Sequence, residues 1–159
     1  MRAFEPRGIT PEELDRILEA GRRAPSSQNW QPWDFVVVTD REQLQQLSTV
    51  WRGGGHVAGS AATVVLVIDE YDEELVRERA QYDLGQATMA MMLAAADLGI
   101  GSGHSSVGEQ EQARRILGLP EGKRAARMID FGYPADRPLK PLRRPNRRPF
   151  DEVVHRGRW

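Results

Sequence analysis

The sequence predicts an α+β fold: a small central sheet, mixed or antiparallel, flanked by helices. Three observations carry that expectation. Two short apolar runs, Phe35–Thr39 and Thr63–Asp69, have the length and β-branched content of buried strands. Thr10-Pro11-Glu12-Glu13 has the form of a helix start, with a capping hydroxyl, a proline in the first turn and a glutamate three residues on. Residues 82–98 form a long helical run that is apolar nearly all round, so it must be covered on most of its faces.

The chain has 159 residues, enough for one domain with a sizeable core, and no internal repeat is visible. Hydrophobic residues make up 40% and charged residues 28%, the balance of a soluble globular protein. A net charge of -1 gives no global attraction to nucleic acid or to an anionic membrane. The absence of cysteine excludes disulfides, thiolate metal sites and a cysteine nucleophile. No apolar run reaches the length of a membrane span, and the first residues lack the layout of a signal peptide. The expectation is a cytoplasmic protein with no nucleic-acid or membrane partner.

Taken in order, residues 1–9 read as irregular. The first helix carries Leu14, Ile17 and Leu18 on one face and must stop near Ala24, ahead of Pro25. The strand at 35–39 is apolar on both faces and is expected to be central. Asp40 caps a second helix with Gln43 at the box position and Leu44, Leu47 and Trp51 at helical spacing, closed by Gly53-Gly54-Gly55. Those glycines lack the following Gly-Lys-Ser/Thr of a phosphate loop, and His56 stands alone in sequence, with no second metal ligand near it. After the strand at 63–69, the charged residues 70–78 read as a solvated helix start. Gly99 is placed to end the long helix, and Gly101-Ser102-Gly103-His104-Ser105 reads either as a turn into an edge strand or as backbone that approaches something flat. A helix over 109–117 and a weaker strand over 125–131, interrupted by Arg127, complete the body. Residues 134–150 hold five prolines and six basic side chains, so they cannot fold alone; Phe150, Val153, Val154 and Trp159 then imply that this arm docks somewhere.

The stretch with the most chemical content is Pro25-Ser26-Ser27-Gln28-Asn29-Trp30-Gln31-Pro32-Trp33. Two prolines exclude helix and regular strand, and hydroxyls and amides lie beside two indoles. A planar ligand with a polar edge needs that mixture. The bland alternative is a proline-punctuated connection with its tryptophans in the core. Three further segments stand in series with it: Asp83-x-Gly85-x-Ala87 in the long helix, Phe131-Gly132-Tyr133-Pro134-Ala135, and Arg147-Arg148-Pro149-Phe150-Asp151-Glu152-Val153-Val154-His155.

In that order these segments resemble the nitroreductase family of FMN-dependent oxidoreductases, over nearly the whole chain. The resemblance implies a single domain over 1–159, arranged as an intertwined homodimer, with residues 134–159 an arm over the neighbouring protomer. It implies FMN as cofactor, NAD(P)H as co-substrate, and a small electron-poor acceptor such as a nitroaromatic or quinone. Pro25, Ser26 and Ser27 would hold the flavin edge, with Asn29 and Gln31 bracing their loop. Arg2 would reach the pyrimidine edge; the family's preceding Arg and Ser for the phosphate have no counterpart. The backbone of Gly103, His104 and Ser105 would pass the ring near N5, with His104 facing the substrate. Arg147 and Arg148 would bind the phosphate through planar, bidentate guanidinium groups. No side chain is assigned as a dedicated catalytic acid or nucleophile, since the cofactor carries the chemistry. Alternatives are a specialised dehydrogenase or flavin-degrading reductase of the same fold, and a non-catalytic flavin- or nucleic-acid-binding module using the basic tail.

Overall fold

The computed structural model describes residues 1–140 and 145–159; Pro141, Arg143 and Arg144 of the basic arm lie outside the described residues. In chain order the elements are α1 (Pro11–Arg22), β1 (Asp34–Val38), α2 (Arg41–Leu47), β2 (Ala62–Asp69), α3 (Glu74–Asp97), β3 (Gly101–Ser106), α4 (Gln110–Leu117) and β4 (Lys123–Gly132). The four strands form one antiparallel sheet in the order β1-β2-β4-β3.

Helices cover both faces of this sheet. On one, Ile17 of α1 and Leu84 and Met91 of α3 pack against Val64, Leu66, Ile129 and Phe131. On the other, Leu44 and Leu47 of α2 and Ala113 of α4 pack against Val65, Val67 and Met128. This division follows from the two-residue alternation of β2, whose successive side chains serve opposite layers. The start of α1 is the expected capping box: Thr10 Oγ1 accepts from the Glu13 amide while Glu13 accepts from the Thr10 amide. Asp40 likewise accepts from the Gln43 amide. Gly99 and Gly118, both at positive φ, close α3 and α4.

Three expectations are corrected. The valine-rich β1 is an edge strand, and β4 with its two arginines is internal. Apolar pattern reports on which faces of a strand are covered and says nothing about which strands lie beside it. α2 ends at Leu47, and Trp51 lies in the following turns, where Gly108 packs against its ring. His56, alone in sequence, is not alone in space: it sits in a 3-10 turn over Gly55–Gly59, and its side chain is buried against Asp130 of β4.

The N-terminal segment is bound to the sheet at β3. The Met1 nitrogen donates to the Ser102 carbonyl at 2.8 Å, and Glu5 and Ala135 exchange backbone bonds with Tyr133 and Ala3. A Cβ at Gly101 would meet the Met1 side chain, and one at Gly132 would stand 2.7 Å from the Phe4 ring. These glycines therefore make a bed for the chain's own first residues. Arg7 stacks over Tyr133, 3.7 Å from the ring centroid, and the Tyr133 hydroxyl donates to Glu13 at 2.8 Å.

Among the described residues no helix is long and apolar enough to cross a membrane. Leu66 of β2 is fully buried, so Leu66→Ala leaves a cavity at the centre of the sheet. An unfolding titration in urea should register a loss of about 2–5 kcal/mol.

Candidate active site

The loop from Pro25 to Trp33 is held in an unusual shape. Ser27–Asn29 make one 3-10 turn, and Gln28, Asn29 and Gln31 all have φ near the left-handed region, at 55°, 58° and 54°. Asparagine tolerates that region; the two glutamines occupy it at a cost of order 1 kcal/mol each. Such a shape persists only when its surroundings over-determine it. Here Ser26 Oγ accepts from the Gln31 amide at 2.9 Å, and the Gln31 side chain donates to the Asn29 carbonyl at 3.0 Å. The Ser27 amide and hydroxyl both donate to Asp83 of α3, at 2.9 and 3.2 Å. Asp83 is fully buried and also accepts from Gln86. Trp30 rests against Tyr71 with centroids 5.3 Å apart, closing the loop against the β2–α3 connection.

β3 presents the second group. Its side chains alternate: Gly103 and Ser105 face inward, His104 outward. The Ser102 carbonyl points away from β4, to Met1, so backbone alternation directs the amides of His104 and Ser106 to the same free edge. The amides of Gly103 and Ser105 are turned to β4. Space over Gly103 is filled from within: a Cβ there would stand 2.5 Å from the Met1 carbonyl and 2.8 Å from Asp130 Oδ2. Arg2 follows Met1 and is exposed. His104 lines a cavity of about 320 Å³ together with Arg127 and with Gln81, Leu84, Gly85 and Thr88 of α3.

α3 stands between these two groups. At about 100° per residue, the positions facing His104 are centred about 150° round the helix from Asp83. Within one chain the Pro25–Trp33 loop and the His104 cavity are thus on nearly opposite sides of α3. A third stripe, roughly 110° further round, consists of Leu75, Tyr82, Met89 and Leu93, which are exposed; Tyr82 is 71% and Leu93 63% accessible.

Arg147 and Arg148 meet neither group among the described residues. Arg147 donates to the Asn146 carbonyl, and Arg148 pairs with Glu152. Both belong to an exposed arm in which Phe150, Val153 and Trp159 are bare.

Sequence reasoning assigned no role to Asp83, Ser106, Arg127 or the pair formed by His56 and Asp130. A carboxylate inside an apolar helical run was the available signal for Asp83. His56 and Asp130 are 74 positions apart, and nothing local links them. His56 Nδ1 lies 3.0 Å from Asp130 Oδ2. Burial pushes the Asp130 carboxyl above its ordinary range, and His56 beside it works in the opposite direction.

With this geometry in view, the relationship to known proteins is direct. The sequence profile of the nitroreductase family matches residues 1–57 and 50–133. An Archaeoglobus fulgidus protein, provisionally named NADH dehydrogenase/NAD(P)H nitroreductase, is 32% identical over 163 residues, covering 100% of this chain and 92% of that one. Among solved structures, an FMN-dependent nitroreductase of Clostridium difficile R20291 superposes with a TM-score of 0.85 at 25% identity, over 100% of this chain and 94% of that one. The NADPH:FMN oxidoreductase of Vibrio harveyi, complexed with NAD+, gives a TM-score of 0.85 at 27% identity, over 100% and 73%. Fold, loop and β3 edge together define an α+β oxidoreductase. The chain belongs to the nitroreductase family.

Two outcomes test the site. Asp83→Ala removes the acceptor of two Ser27 donors; it should lower stability by about 1–3 kcal/mol and raise hydrogen exchange of the Ser27 amide. Asp130 binds a proton more tightly in the native state than in the unfolded chain. Its contribution to stability is therefore lost as pH rises from 3.8 through its raised value. Thermal unfolding across that range should show a slope in the native protein that Asp130→Asn flattens.

Proposed function

We propose that this protein is an FMN-dependent NAD(P)H oxidoreductase acting on an electron-poor acceptor such as a nitroaromatic or a quinone, and that its flavin sites form between two copies of the chain. The observation that carries this reading is the placement of the Pro25–Trp33 loop and the His104 cavity on opposite sides of α3. One planar ligand can touch both only if they come from different protomers. The bare stripe of Leu75, Tyr82, Met89 and Leu93 supports the same arrangement, because a lone chain would leave that apolar face in water.

The residues present fit a flavin mononucleotide. When bound, FMN would supply the redox chemistry that links hydride donation by NAD(P)H to two-electron reduction of the acceptor. The free-edge amides of His104 and Ser106 are fixed donors for a ring nitrogen, and being part of the sheet they need no reorganisation. Arg2, beside them, places a cation near the pyrimidine edge. Ser26, Ser27, Asn29 and Gln31 of the partner's loop would hold the other edge beside Pro25, in a shape that Asp83 has already set. Arg147 and Arg148 are exposed and reach the phosphate when the arm, residues 134–159, docks on the neighbouring protomer. Cavities of about 870 and 730 Å³ along the unpaired edge of β1 beside α1 are open to it. Arg127 and His104 line the substrate side.

The purified protein, mixed with FMN and desalted, should be a dimer carrying two flavins whose visible bands bleach on anaerobic addition of NAD(P)H. Mixed dimers make the sharper test. His104→Pro removes one edge amide without breaking the β4 ladder, and Asp83→Ala releases the loop. Each variant alone should lose flavin. Co-refolded in equal amounts they should regain about a quarter of the wild-type flavin, because each mixed dimer has one intact site. No recovery would mean that loop and strand serve the same site from one chain.

A further inference from the structure

Directly behind β3 lies a polar cluster that the reading above does not use. Asp130 of β4 is paired in register with Gly103, and its carboxylate occupies the space that a side chain at 103 would fill. His56, from the Gly55–Gly59 turn, holds Oδ2 of that carboxylate at 3.0 Å. Ser105, two residues along β3, faces the same way. Asp130 is completely buried, the His56 side chain is 6% exposed and Ser105 is 7% exposed. Yet His56 Nε2, Asp130 Oδ1 and Ser105 Oγ make no hydrogen bond. Because His56 Nε2 and Ser105 Oγ are not bonded to each other, the cluster is not a hydrolytic relay.

We propose that His56 and Asp130 are positioning residues for the flavin strand: their buried pair sets where Gly103 and the neighbouring His104 amide stand, and the proton it holds makes FMN retention depend on pH. This rests on the reading that the free edge of β3 meets the flavin.

Charge couples the buried pair to the strand. An ionised Asp130 places a negative charge in a buried site where no protein donor reaches Oδ1. That state is costly. Protonated, the Asp130 carboxyl carries no charge there. The ionic groups acting on Asp130 are His56 on the turn and the Met1 amino group on the N-terminal segment, and both favour its charged form; burial opposes it. The unused donor nearest along the strand is the Ser105 hydroxyl, a diagonal neighbour across β3 and β4. Uncovering the carboxylate therefore draws Ser105 towards Oδ1 and shifts the strand whose outer amides face the flavin. It also leaves a buried negative charge behind an anionic cofactor. Both effects weaken retention as pH rises.

The test is FMN affinity, followed by quenching of flavin fluorescence, from about pH 4, just above the ordinary carboxyl value, to about pH 8. The native protein should lose affinity about tenfold as pH rises, the effect of one titration moved by one pH unit. Asp130→Asn keeps the shape without the charge, and His56→Asn keeps a donor for Asp130 but removes the imidazole that favours its charged form. Asp130→Asn should bind FMN with a flat profile and His56→Asn should move the fall in affinity to higher pH, with the folding of each checked by circular dichroism; if one does not fold, the other carries the comparison. Variants that weaken FMN equally at every pH, or that retain the native profile, overturn the proposal. A native protein that binds no FMN at any pH overturns both this proposal and the flavin reading. Binding without pH dependence in the native protein overturns this proposal alone.

Discussion

The Asp83 carboxylate is the point on which the rest of this structure depends. It is buried in the middle of the longest helix, where an unpaired charge would be severely destabilising, and its partners are the amide and hydroxyl of Ser27 and the side chain of Gln86. That requirement works in both directions. The helix needs the loop to satisfy its carboxylate, and the loop needs the carboxylate to hold three non-glycine residues in left-handed conformations. A loop of this composition, freed from α3, would have many shapes. Tied to α3 it has one, and its polar edge faces outward from the side of the helix opposite the His104 cavity.

The same helix carries surface that one chain leaves uncovered. Its faces are committed in turn to the α1-side core, to the His104 cavity and to a bare apolar stripe. Beyond its charged first turns, where Glu74, Glu78 and Arg79 are exposed, a helix with three such faces keeps few polar side chains for water, which is the physical content of a run that reads as apolar nearly all round. Among the described residues of the C-terminal arm, Phe150, Val153 and Trp159 are likewise exposed, and the β1 edge of the sheet is unpaired.

On the far side of the sheet, glycine has been used to admit other groups. Gly101 and Gly132 accommodate Met1 and Phe4, and Gly103 accommodates Asp130. The consequence is that β3 is clamped between its own N-terminal segment and a buried ionisable pair, leaving only its outer amides and the His104 side chain free to meet a ligand. Strand geometry assigns those amides to His104 and Ser106, because backbone direction alternates along the ladder.

Much of this was legible in the residues themselves. The capping box at Thr10, the cap at Asp40, the glycine stops at 99 and 118, the two valine-rich strands and the proline-bounded loop are local signals, each written within a few neighbouring positions. The order of motifs from Pro25 to Arg148 was enough to point to the nitroreductase family. What the sequence did not decide is everything that depends on residues far apart in the chain coming together. Strand order placed β1 at an edge and β4 inside, since side-chain pattern records covered faces and not neighbouring strands. Helix rotation set the loop and the His104 cavity on opposite sides of α3. His56 found Asp130 across 74 positions, and the space over Gly103 is taken by that carboxylate and the Met1 carbonyl. Local chemistry fixed the elements; only the packing of sheet and helices could decide which groups meet, because that choice is made by distances in space that no spacing in sequence encodes.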